Sequence, residues 1–271
     1  MPRENKFEEA TIQSPYYTVH NLTIDEITNK YENTHIEYLK IKQYMYCPEC
    51  QKALLNYCHG TVREPYLQAY NITDHDNECS FLLDSISQTK LKKIYTDNTS
   101  ETLDSIKNRL THLIDFICMG VSTAENPLIM EDSKVITDKS EPNKTVKQIT
   151  RKSIPRKMLN NHISNKDLEC IKFFYGKVHI KYKPIYASGK INRIFLYLYT
   201  YGNTKDNNKG NYICSLNLSQ NVIKHLPTNY FQDREVAYIA FFSELYKSEQ
   251  NAKFLNATIR HSEFLRISDV L

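Results

Sequence analysis

"YCPECQKALLNYCHGTVREPYLQAYNITDHDNEC", residues 46–79, holds the four side chains whose reading decides what the first third of the chain is. Cys47 and Cys50 form a Cys-x2-Cys pair, and His75 and Cys79 follow as a second pair. A Zn2+ ion takes thiolate and imidazole ligands in a tetrahedron, and a Cys-x2-Cys turn sets two sulfurs on one ion. The 24 residues between Cys50 and His75 are long enough for a hairpin that brings the pairs together. The spacing therefore predicts a structural zinc site of Cys47, Cys50, His75 and Cys79. A site closed by four protein ligands does no chemistry on water and contributes folding free energy instead. Cys58 and His59, in "NYCHG", offer the same donor types, so the spacing leaves open whether one of them replaces a ligand.

Outward from this segment, composition narrows the class. The chain has 271 residues, room for one large domain or two modest ones. Hydrophobic residues at 41% and charged residues at 24% are those of a folded, soluble polymer rather than a disordered one. Seven cysteines, an odd number, argue against a closed disulfide framework, and Cys118, Cys170 and Cys214 lie in apolar contexts where free thiols are usual. No stretch nears the roughly 20 apolar residues that span a bilayer, and "MPRENKFEEATIQS" lacks the apolar centre of a signal peptide. The expectation is a cytoplasmic protein with no membrane partner.

Charge is more informative by position than in sum. Between Val146 and Arg193 stand twelve Lys/Arg against only Asp167 and Glu169, although the whole chain is only +4. Such a surplus gathers polyanions, and nucleic acid is the usual one.

Periodicity suggests an α+β chain in three parts. Residues 1–120 read as the zinc-binding domain: "HIEYLKIKQYMYCPEC" alternates like a strand entering the first cysteine pair. "ETLDSIKNRLTHLIDFICMG" closes it as a helix, with Leu103, Ile106, Leu110, Leu113, Ile114 and Ile117 on one face and Ser100 as a cap. Residues 121–160 lose periodicity and read as a charged linker that ends in the basic "RKSIPRK". Residues 161–271 read as all-β. "FFYGKVHIKYKPIY", "INRIFLYLYTYG", "NYICSLNL", "REVAYIAFFSELY" and "AKFLNATIRHSEFLRI" are the strands, with a helical "SQNVIKHL" between the third and fourth and a bend or bulge at Gly176. This order of elements resembles the OB-fold, which implies a small barrel whose outer face binds oligonucleotides.

Alternation then sorts the side chains of that part. Ile194, Leu196 and Leu198, with Val178 and Ile180, form the natural core set. Phe195, Tyr197, Tyr199 and Tyr201 point the other way, as do Lys177, Lys181 and Lys183 on the first strand. Rings that stack on bases beside ammonium groups that follow phosphates suit single-stranded DNA or RNA. Arg193, and Arg156 and Lys157 from the linker, would add charge.

The Cys/His segment itself, "YCPECQKALL" followed by "HDNEC", resembles the N-terminal metal-binding module of competence CoiA-like proteins over about 35 residues. That family carries histidines between its ligand pairs where this chain has "PYLQAY", and its nuclease array has no counterpart here. The resemblance implies a DNA-processing setting and transfers no catalytic residue. No phosphate-binding glycine loop or Gly-x-Ser-x-Gly elbow occurs, so the expectation is a non-enzymatic, DNA- or RNA-binding protein. The alternative is a protein-interaction adaptor of a mobile-element, defence or competence system that uses the aromatic face as its interface. A degenerate nuclease is a third, weaker reading.

Overall fold

The computed structural model describes residues 7–60, 64–77, 79–97, 99–119, 126–137, 145–160, 163–201, 210–249 and 251–269, and the chain divides into two units with separate cores. The first unit holds the described residues up to Asp84 together with Asn126; the second holds those of Ser85–Val121 and Pro127–Leu271. The boundary thus precedes the long helix assigned from sequence to the zinc domain. Ile106, Leu110, Leu113 and Ile114 of that helix belong to the core of the second unit. Among the described residues, no helix is long and apolar enough to cross a membrane.

The first unit runs β1 (Glu9–Ile12), β2 (His20–Thr23), α1 (Ile24–Asn33), α2 (His35–Ile41), β3 (Met45–Tyr46), β4 (Leu55–Cys58) and β5 (Tyr66–Ala69). β1 pairs antiparallel with both β2 and β3, and β4 and β5 form a hairpin. Thr23 starts α1 through a capping box: its hydroxyl accepts from Glu26 N, and the Glu26 carboxylate accepts from Thr23 N at 2.8 Å. Residues 35–41 are helical where alternation suggested a strand. Tyr38 and Ile41, three apart, are both buried, and Glu37 accepts from Lys40 Nζ at 2.7 Å. Those spacings suit a helix, and extended pairing begins only at Met45.

The second unit continues with α3 (Gln88–Thr96), α4 (Ser100–Met119), β6 (Ile129–Thr137), β7 (Thr145–Ser153), β8 (Arg156–Met158), β9 (Lys172–Ala187), β10 (Lys190–Thr200), β11 (Tyr212–Ser219), α5 (Gln220–Ile223), β12 (Arg234–Ser243), β13 (Tyr246–Lys247), β14 (Leu255–Ile259) and β15 (Leu265–Asp269). The expected linker is thus largely strand. β6 and β7 form a hairpin held by the ladder between them, with Ile86 N donating to Ser153 O at 2.9 Å on its outer edge. Leu128 and Ile154, buried at its base, fasten it.

The main sheet has the order β13-β14-β11-β10-β9-β12-β15, with β8 added parallel to β9. All its pairings are antiparallel except β8 with β9 and β11 with β14. β9 is long enough to serve two partners: Lys172–Val178 lies along β12, and Val178–Ala187 along β10. The last expected strand is in fact two, β14 and β15, separated by a short turn at Ser262–Phe264. No closed barrel forms: among the described residues, no backbone ladder joins β12 to β14. Side chains make that seam instead. Ser243 Oγ donates to Thr258 O at 3.0 Å, and Tyr95 Oη donates to the same carbonyl at 2.6 Å.

Gly176 sits in regular register opposite Ile239, so it is not a bulge; the shift in that ladder falls between Arg234 and Ala237. What favours glycine is the close approach of Leu159, whose Cβ would stand 3.2 Å from an added Cβ, tighter than ordinary van der Waals contact. Lys157 is likewise redirected. It sits on β8 within 3.9 Å of Asp167, and Lys172 binds the same carboxylate at 2.7 Å, all three side chains being largely buried. Burial alone would raise the Asp167 pKa. The hydrogen bonds from Lys172 and Ser164 N and the Lys157 charge outweigh it and hold the group below the ordinary carboxylate range.

Two outcomes follow from these contacts. Gly176→Val should lower unfolding free energy by about 1–3 kcal/mol through overpacking against Leu159, read from the denaturation midpoint. Asp167→Asn should cost about 3–5 kcal/mol near neutral pH, because two buried ammonium groups lose their counter-charge. Since the folded pKa is depressed, the wild-type advantage is complete above the ordinary carboxylate range and is lost as pH falls through the folded value. A pH series of urea titrations on both proteins checks both the size and the direction.

Candidate metal centre and outer sheet face

β3 delivers Cys47 to a tight turn: Cys47 N donates to Ala53 O at 2.8 Å, and Gln51 N donates back to Cys47 O at 2.9 Å. The chain turns there through Gln51, whose φ of 54° is left-handed, and Gln13 Nε2 donates to Gln51 O at 3.4 Å. The second pair comes from a separate turn after β5, in which Cys79 N donates to Asp76 O at 2.9 Å. These turns bring Cys47, Cys50, His75 and Cys79 together with every ligand atom within 4.8 Å of every other. Cys47 Sγ lies 3.8 Å from Cys79 Sγ, and His75 Nδ1 lies 3.4 Å from Cys50 Sγ and 3.3 Å from Cys79 Sγ. Metal bonds of about 2.3 Å to sulfur and about 2.0 Å to nitrogen give tetrahedral edges of about 3.8 Å and about 3.5 Å. The four donors therefore have the dimensions of a metal site.

The donor chemistry points the same way. Burial pushes the Cys47 thiol up to about 12. Hydrogen bonds from Cys47 and Cys79 hold Cys50 far below the usual thiol range, while the reciprocal contacts and burial push Cys79 up. A bound cation would let all three deprotonate. His75 Nε2 is buried with no hydrogen-bond partner, so the ring's polar contacts run through Nδ1 toward the sulfurs. Phe7 stacks on the ring at 5.7 Å and Phe81 flanks it at 6.1 Å, so aromatic side chains cover the imidazole, while Cys50 is only partly buried.

Cys58 and His59 stand apart from this group. Cys58 accepts from Asn56, and His59 lies beside Tyr31 with Nε2 3.6 Å from Glu32. Glu49, by contrast, was not singled out by the spacing argument. It lies between the two knuckle cysteines, is buried, and accepts from Ser80 N, from Ser80 Oγ at 2.7 Å and from Asn126 Nδ2. One carboxylate thus ties the first ligand pair to the residue after Cys79. The Lys52–Asp76 ion pair makes a second, more exposed tie between the same turns.

In the second unit, the sheet sorts the remaining candidates by register. Ile194, Leu196, Leu198, Val178 and Ile180 are fully buried. On the opposite face Phe195 pairs with Lys183, Tyr197 with Lys181 and Tyr199 with His179. Arg193, exposed and two residues before Phe195, continues the same row. Tyr201 ends it at 48% exposure, its ring 5.4 Å from His179. Phe195, Tyr197 and Tyr199 are half-buried, because their neighbours on β11 lie against them. Arg156 and Lys157 do not join this row. Their strand lies beside Phe173 and Phe174, at the opposite end of β9 from Lys181 and Lys183.

Two further rings extend the row. Tyr212 lies 6.5 Å from Tyr197 and 5.8 Å from Tyr199, and it meets Phe254, 47% exposed, at 5.2 Å. Tyr212 reaches the outer face because the β10–β11 ladder shifts register after Leu198, a shift that strict alternation along "NYICSLNL" does not announce.

Removing Glu49 and removing a ligand should have separable effects. Glu49→Ala removes the carboxylate that accepts from Ser80 N and Ser80 Oγ and should cost roughly 1–3 kcal/mol while the metal-to-protein ratio stays unchanged. His75→Ala or Cys79→Ala should abolish stoichiometric metal, read by elemental analysis of the purified protein. No protein-family model matches the chain, and no curated protein or solved structure shows significant similarity to it.

Proposed function

We propose that this chain is a non-enzymatic nucleic-acid-binding protein, with a zinc-stapled first unit and a single-strand-binding face on the sheet of the second. The observation that carries the reading is the register of β9 against β10, which sets Lys183 and Lys181 directly beside Phe195 and Tyr197 on the face opposite the aliphatic core. Neighbouring strands stand about 5 Å apart, so each ring has an ammonium group within reach of the phosphate of any base it stacks. Stacking contributes about 1–3 kcal/mol per base and is indifferent to sequence.

The strand order supports an OB-like reading of the sheet. Five strands, β9, β10, β11, β12 and β14, come in that chain order, with α5 between the third and fourth and only the two-residue β13 between the last two. β9 is flanked by β10 and β12, β11 runs parallel to β14, and a side-chain seam stands where a barrel would close. OB-folds are five-stranded, partly open barrels that bind oligonucleotides on the face of their second and third strands, which here are β10 and β11. For the metal, three thiolates and one imidazole in a closed tetrahedron suit Zn2+, and the lack of an open position suits a structural role. The likeness of residues 46–79 to competence modules favours DNA as the strand.

A second reading, a protein-interaction adaptor, draws on exposed apolar side chains beside the same row, Ile185 and Phe254. Charge reversal separates the two. Replacing Lys177, Lys181 and Lys183 by Glu should abolish binding of a labelled single-stranded oligonucleotide while leaving association with a protein partner intact. Tyr197→Ala should weaken oligonucleotide binding by about 1–3 kcal/mol with the salt slope unchanged. Undetectable affinity of the wild-type protein at low salt would exclude the nucleic-acid reading. For the first unit, a chelator should unfold it while the second unit, whose core contains none of the four ligands, keeps its transition.

A further inference from the structure

The lysines of the outer face are not simply adjacent to the rings. Lys177 Nζ sits over the Tyr201 ring, 4.1 Å from its centroid, and 6.0 Å from that of Tyr238. Lys181 Nζ sits over the Tyr199 ring at 5.7 Å. The groups suited to meet phosphate therefore cover two of the rings suited to meet bases. A base stacking on the covered face of Tyr199 or Tyr201 must first displace an ammonium group held there by the ring quadrupole.

We infer that Lys177 and Lys181 gate these rings, so that the face accepts a base only together with a phosphate that draws the lysine away. The inference rests on the nucleic-acid reading above and names its ligand more narrowly: a phosphodiester-linked strand, not a nucleoside or another uncharged aromatic molecule. A lysine has a flexible four-carbon stem and a compact charge, so it can swing from ring to phosphate without backbone movement. An uncharged ligand offers the displaced ammonium nothing in exchange. The strand pays for the opening with its own phosphate.

The gate has a thermodynamic signature that plain phosphate contact lacks. Two lysines that only contact phosphate raise affinity at low salt and contribute nothing near 1 M, where counterion release vanishes as a driving force. Two lysines that also cover rings oppose binding at high salt, by about two- to fivefold each if the ring contact is worth what exposed pairs usually are.

The test is a salt titration of labelled oligothymidine binding to the full-length wild type and the Lys177→Gln/Lys181→Gln variant. The variant should bind more weakly at low salt, with a log–log slope shallower by about 1.4. It should bind more tightly than wild type near 1 M, so that the two lines cross. Lines that meet only at the highest salt, or never, overturn the gate while leaving the nucleic-acid reading intact. A wild type that binds no strand at any salt overturns that reading instead. An NMR measurement on the wild type without ligand tests the lysine–ring contact on which the gate depends and does not require the variant to fold. The Lys177 and Lys181 side-chain methylene resonances should be shifted upfield by the rings beneath them. Methylene shifts at their random-coil positions would overturn the gate.

Discussion

A buried group of three thiols and an imidazole has few ways to be stable. With every ligand atom within 4.8 Å of the others, thiolates there would repel one another without a counter-ion. The first unit is arranged around this constraint. β3 ends in the first cysteine, the β4–β5 hairpin spans the gap between the two pairs, and Phe7 and Phe81 close the aromatic side. The remaining core, which includes Ile12, Ile27, Ile41, Met45, Leu55 and Leu67, is small beside that of the second unit.

The second unit answers to a different constraint, the two-residue period of a strand. β10 obeys it through Ile194, Leu196 and Leu198 inward and Phe195, Tyr197 and Tyr199 outward, and β9 matches it rung by rung. At the other end of β9 the period stops mattering. Phe173 and Phe174, opposite Phe242 and Phe241, are all fully buried, so both faces of the sheet are covered there. The same strand is thus core at its beginning and surface at its end.

This contrast explains what the sequence allowed to be read. Ligand spacing, strand alternation and the amphipathic stripe of α4 are local patterns, and each was legible from neighbouring residues. The boundary between the units was not, because α4 has an apolar face whichever unit it covers. The β6–β7 hairpin was hidden for the opposite reason: its strands, "IMEDSKVIT" and "TVKQITRKS", are rich in polar and charged residues, so their composition resembles that of a linker. Glu49 and Tyr212 escaped because their roles arise from contacts across the fold. One answers Ser80 and Asn126, and the other is turned outward by a register shift. Lys157 had the charge of a nucleic-acid ligand and the surroundings of a structural ion pair, a difference visible only once Asp167 stands beside it.

The hairpin of β6 and β7 has a consequence of its own. Nine rungs join the two strands from Ile129–Ser153 to Thr137–Thr145, and in the described sheet topology the pair forms a two-stranded sheet of its own, fastened near its base by the Ser85–Ser153 bridge. Rungs beyond that base can be gained or lost in matched pairs without altering any other register in the protein. A one-residue insertion within β9 or β10, by contrast, would turn a row of core side chains outward.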